Sequence, residues 1–200
     1  MVSAITTPDD WTRIATLGIA VLGLCLSVAS LVWQATTFRL SGPRVRVELR
    51  VGATNGQTYA TMPLKQDWYD SVIRLQQQGM GLPIIAVMIR NVGRQATSVV
   101  NYAAALDTGI SFGMTSPPRG CKPLPHRLEA EDQILYYVEL EDCLRLAHSV
   151  QFLPKKPSRL HMTVDLGSGK TLKTEQSIPA RDLLAMVPRE WRERNGDPGL

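Results

Sequence analysis

The chain has 200 residues, of which 44% are hydrophobic, 20% charged and 6% aromatic, and 22 basic side chains against 18 acidic ones leave a formal charge of +4. That length and apolar content fit one ordinary domain and exclude a disordered chain, while so small a charge surplus does not mark a polyanion binder. Three cysteines exclude a disulfide scaffold.

Residues 14–33 are a run of 20 without a charged side chain, the length a helix needs to cross a bilayer. Trp11 and Trp33 bracket it at interface positions. A cleaved signal peptide needs a basic leader and an apolar stretch of about 7–15 residues. Here the leader, residues 1–13, carries Asp9, Asp10 and the single base Arg13, so a retained anchor is expected, with the lipid bilayer as its partner. One base precedes the span, against Arg39, Arg44, Arg46 and Arg50 after it. Bases are held on the cytoplasmic side, which predicts a single-pass protein of the cell membrane with a cytoplasmic domain. Ala20, Gly23, Ser27 and Ser30 form a stripe of small residues that lets two such helices approach in weak self-association, a composition also common in any membrane helix.

After a linker at 34–42 the period becomes two. Val45, Val47, Leu49 and Val51 face one way, and Arg44, Arg46, Glu48 and Arg50 the other. Residues 54–66 read as a loop, and Asp67 as the cap of a short helix carrying Trp68, Val72 and Leu75, ended by Gly79. Residues 84–92 are apolar on both faces, the mark of a covered central strand. The turn chemistry of Asn91-Val92-Gly93-Arg94 then predicts a hairpin with 98–106. Prolines 117, 118, 123 and 125 make 114–125 a loop. Alternation predicts a strand over 133–140, a short one at 150–153, and a closing hairpin of 159–166 with 170–176 around Gly167-Ser168-Gly169. Ser177 and Pro179 open a last helix through Met186, and 195–200 reads as a frayed tail. The expected architecture is a transmembrane helix followed by an immunoglobulin-like antiparallel β-sandwich of about seven strands over 43–178, with a short helix and tail at 179–200.

The span, Ser41-Gly42-Pro43-Arg44, Ile89-Arg90-Asn91-Val92-Gly93-Arg94, Arg127-Leu128-Glu129-Ala130-Glu131-Asp132 and Asp165-Leu166-Gly167-Ser168-Gly169-Lys170 together resemble uncharacterised bacterial single-pass membrane proteins with a small immunoglobulin-like domain. The resemblance covers most of 14–178. Ala130-Glu131 stands where such domains often have Pro-Gly. It implies no catalytic residue.

Gly167-Ser168-Gly169-Lys170-Thr171 lacks the earlier glycine of a phosphate loop, Val164 standing in its place within a strand. Cys121-x4-His126 and Cys143-x4-His148 offer two thiols and two imidazoles for zinc, or Cys121 and Cys143 a disulfide outside the cytosol; two free thiols are the simpler expectation. Cys25 lies in the span. Glu129, Glu131, Asp132, Glu139, Glu141 and Asp142 suit acid–base or hard-cation chemistry, or a solvated edge that repels strand pairing, which is favoured. His161 falls on the polar face of a strand, no Ser or Cys accompanies a His in a nucleophile motif, and basic stretches lack aromatics for nucleic acid. No catalytic, cofactor or metal residue is therefore assigned. The expected function is a membrane-anchored, non-enzymatic protein-interaction module. The alternatives are a small metal-dependent or hydrolytic enzyme using the Cys/His/carboxylate region, or an envelope-facing recognition domain if the topology is reversed.

Overall fold

A computed structural model describes residues 8–114, 116–150 and 158–187. The chain divides between Gly42 and Pro43 into a helical unit and a β-rich unit.

The first unit is α1 (Pro8–Ser41), 34 residues and about 50 Å long. Its stretch Trp11–Thr37 is long and apolar enough to span a membrane, so the helix outruns the expected 14–33 at both ends and absorbs most of the linker. Trp11, Leu17, Ile19, Leu24, Leu31 and Trp33 are each 65–74% exposed. The few polar side chains bond back to their own helix: Thr16 donates to the Thr12 carbonyl at 2.7 Å, Ser27 to Gly23 at 2.8 Å, and Thr36 to Val32 at 2.7 Å. A lipid environment demands such internal satisfaction. Gly42 and Pro43 follow the last helical residue, where proline's missing donor and ring disfavour continuation.

The second unit contains β1 (Val45–Thr54), β2 (Tyr59–Pro63), α2 (Trp68–Gln77), β3 (Leu82–Asn91), β4 (Thr97–Leu106), β5 (Ser111–Gly113), β6 (His126–Leu128), β7 (Gln133–Glu139), α3 (Leu140–Ser149), β8 (Arg159–Leu166), β9 (Thr171–Lys173), β10 (Ile178–Pro179) and α4 (Ala180–Met186). Two antiparallel sheets result: sheet A in the order β2-β1-β3-β7, and sheet B in the order β10-β8-β4-β5, with β6 beside β4 and β9 beside β8. Leu49, Val51, Val87, Ile89, Tyr136 and Val138 of sheet A share one buried core with Tyr102, Leu106, Met162 and Val164 of sheet B. Tyr102 stacks on Tyr136 across it, ring centroids 4.8 Å apart, and its hydroxyl donates to the Tyr137 carbonyl at 3.2 Å.

Several expectations are corrected. β3 and β4 do not form a hairpin: β3 pairs with β1 and β7, β4 with β5, β6 and β8, so the turn after Asn91 carries the chain from one sheet to the other. The 54–66 loop contains β2, paired with β1 from Arg50↔Pro63 to Thr54↔Tyr59. Gly52 allows this close pairing, because a Cβ there would stand 1.9 Å from the Ala60 carbonyl oxygen. The acidic stretch after β7 is helical. Glu141 and Asp142 sit in the first turn of α3, where negative charge favours the helix dipole. Val150 ends α3 instead of starting a strand, and 151–153 lie outside the described residues, as does the 195–200 tail. Among the described residues ten strands stand where about seven were expected, because β2, β5, β6 and β10 are added, the last three only two or three residues long, while Val150 ends a helix. Asp67 gives α2 no side-chain cap, whereas Gly79 does take the left-handed φ of 92°. The last helix starts after Pro179, without a Ser177 cap.

Asn91 unites two of the segments that carried the resemblance. Wholly buried at the end of β3, its amide donates to the carbonyls of Gln95 at 2.8 Å, Leu128 at 3.3 Å and Glu129 at 3.0 Å, and accepts from the Gly93 amide at 3.0 Å. Glu131, at the Ala130-Glu131 departure, adopts φ 64° and donates its amide to the Asn91 carbonyl.

Candidate functional site

β8 alternates so that Leu160, Met162 and Val164 enter the core while His161, Thr163 and Asp165 face away. The β8–β9 register sets Lys173 opposite Thr163, on that same outer face. A cleft of about 930 Å³ opens there, lined among others by Lys65, Trp68, Asp107, Arg159, His161, Lys173, Glu175, Arg181 and Asp182. His161 thus lies on the expected polar face, but it is only 5% exposed. Thr174 is held next to it: its amide donates to the Met162 carbonyl at 3.0 Å and its hydroxyl accepts the Met162 amide at 3.2 Å. Nδ1 of His161 is buried and has no partner among the described residues. Burial, reinforced by Lys173 and opposed by Asp107, holds the imidazole below its ordinary range and so favours the neutral ring.

Asp107, just past β4, is clamped by Ser158, whose hydroxyl donates to Oδ2 and whose amide donates to Oδ1 at 2.9 Å. The hydroxyl bond is the main reason that its carboxyl lies below the usual range. Arg181 and Asp182 approach to 3.4 Å. The cleft therefore presents a neutral imidazole, fixed carboxylates and several cations, an arrangement suited to holding a polar ligand or a peptide segment by complementary charge.

The cysteine and histidine residues considered for zinc do not assemble: among the described residues no three His, Cys, Asp or Glu side chains gather. Cys143 and His148 are buried in α3, Cys121 is half-buried in the loop before β6, and His126 opens β6. All three cysteines are free. Burial pushes the Cys121 thiol up to about 11, against a hydrogen bond with the Tyr137 backbone, and drives the Cys143 thiol higher still. Both are therefore neutral thiols and weak nucleophiles near pH 7. The carboxylates also separate: Glu129, Glu131 and Asp132 precede β7, whereas Glu139 ends it and Glu141 and Asp142 follow in α3, on the order of 20 Å away. β7 is an edge strand of sheet A, so they flank the two ends of an edge. Gly167-Ser168-Gly169 turns β8 into β9 and opens no helix.

Sequence reasoning missed Lys65, Asp107, Arg159, Lys173 and Arg181 as neighbours of His161. Only the β8 alternation gave a signal, because strand pairing brings the other residues together from distant parts of the chain.

No protein-family model matches the chain, and no curated protein matches it.

Proposed function

We propose that the chain is a single-pass membrane protein whose immunoglobulin-like domain is a non-enzymatic interaction module at the cytoplasmic face of the cell membrane, presenting its cleft and sheet edges to a protein partner. The observation that carries this reading is α1: a 34-residue helix with large apolar side chains exposed along its length, joined through Gly42 and Pro43 to the β-rich unit. A helix apolar all round finds its low-energy environment in lipid. The immunoglobulin-like reading is supported by strand order. Taking β1, β3, β4, β7 and β8 as the first, second, third, fifth and sixth strands, with β9 and β10 in the place of the seventh, reproduces the first–second–fifth and third–sixth–seventh neighbours of that fold. The short β5 and β6 stand in the fourth-strand region, and α3 fills the fifth-to-sixth connection. The four arginines after the span support the cytoplasmic orientation.

Alkaline carbonate should leave the chain in the membrane pellet; release into the supernatant would refute the anchor. An impermeant maleimide should leave Cys121 unlabelled in intact cells and label it slowly after lysis at raised pH, because burial keeps its thiol protonated. Labelling in intact cells would place the domain outside.

A further inference from the structure

The outer face of sheet A changes character along its strands. At one end Ile84, Ala86, Leu135 and Tyr137 form an apolar cluster. Toward the other end the β1–β3 register sets Arg46 directly opposite Arg90, both exposed. Arg44 lies just before β1 and Arg94 in the turn after β3, also exposed, and the Arg44 carbonyl accepts the Val92 amide at 2.7 Å. Like charges directly opposite on paired strands destabilise the pair. Nearby carboxylates do not relieve them: Glu48 bonds Arg50 at 3.1 Å, Glu129 bonds Arg127 at 2.7 Å, and Asp132 accepts the Gln133 amide at 2.8 Å. Glu131 is the remaining acid at this end, and none of the four arginines forms an ion pair among the described residues.

We propose that this arginine end of sheet A docks on anionic phospholipid headgroups. Arg46 stands five positions beyond Ser41, the last residue of α1, a stretch of about 18 Å at full extension. If α1 is the membrane anchor, on which this inference rests, that short tether keeps the patch near the headgroups. A phosphodiester offers oxygens matched to the guanidinium fork, and its charge converts the Arg46–Arg90 repulsion into a shared attraction.

The test uses the full chain in nanodiscs of phosphatidylcholine alone and of phosphatidylcholine mixed with phosphatidylserine, reading the thermal midpoint of the β domain. The parent should gain roughly 2–4 °C in the anionic discs and lose that gain in high salt. Arg46→Gln should reverse sign: more stable than the parent in neutral discs, where repulsion is removed, and less stable in anionic discs, where a contact is lost. Arg90→Gln should repeat the reversal. Equal midpoints in both lipids, or a variant effect of the same sign in both, would overturn the proposal while leaving the anchor intact. Failure of the chain to remain in either disc would refute the anchor itself.

Discussion

Sheet A carries apolar clusters on both faces, whereas sheet B turns one apolar face to the core and on the other buries His161, Ala103 and Ala105 outside any apolar cluster. Ile85, Val87 and Ile89 of β3 enter the main core, while Ile84 and Ala86 of the same strand enter a second cluster that Cys121 and Met88 pack against. The outer face of β8 is instead knit by polar contacts: Thr163 donates to the Ala103 carbonyl at 3.3 Å, and Asp165 accepts from Thr171 at 2.6 Å and from Asn101 at 3.2 Å. Sheet A is thus organised by apolar burial, and sheet B leaves one face available for a cleft. Tolerance to substitution should follow that division.

Val87→Asp should have the largest effect. It places an unpaired carboxylate at a wholly buried position of the central strand, costing several kcal/mol, enough to abolish the cooperative thermal transition of a marginally stable domain. Asn91→Leu removes the donor to three carbonyls and the acceptor of the Gly93 amide. A loss of about 3 kcal/mol in chemical denaturation is expected, with the fold retained by circular dichroism. Glu131→Gly should work in the opposite direction, adding about 0.5–1 kcal/mol by relieving the left-handed backbone at φ 64°. On sheet B, His161 should contribute a smaller pH dependence. Its folded pKa lies below the unfolded value of about 6.5, so its contribution is complete above that value and is lost as pH falls through the lower folded one. Denaturation midpoints measured from pH 7 to 5 should fall less steeply in His161→Gln; parallel profiles would show that burial does not hold this ring below its ordinary range.

The apolar span was legible because hydropathy reads directly as a bilayer-length helix, although the polar flanks that extend it to Pro8 and Ser41 carry no such signal. The strands of the core were largely legible too: of the expected inward residues, Leu49, Val87, Ile89, Tyr136, Val138, Met162 and Val164 are wholly buried, whereas Val47, near the start of β1, is only half-buried. α3 escaped although Leu140, Cys143, Leu144 and Ala147 lie at helical spacing, because the preceding alternation runs into Leu140 without a break. The transfer between sheets after Asn91 was illegible in principle: glycine and asparagine serve a hairpin and a crossing equally well, and the deciding bonds to Leu128 and Glu129 come from residues 37 and 38 positions away. The β4 bulge between Val99 and Asn101, which turns both Val99 and Tyr102 into the core, likewise depends on its pairing with β8. The cleft was least legible, since its charges converge only after the two sheets are built.

The β4–β8 pairing also orders events in time. Ala103 and Thr163 meet across 60 positions, and Asn101 and Asp165 across 64, while β7, the last strand of sheet A, ends at Glu139. During synthesis every strand of sheet A has emerged before β8 exists, and the inner face of β4 must wait without its partner. Closing so long a loop is slow compared with local pairing. If α1 is the membrane anchor, a growing chain held by it would spend that interval at low local mobility, kept apart from other nascent chains while Tyr102 and Ala104 are still uncovered.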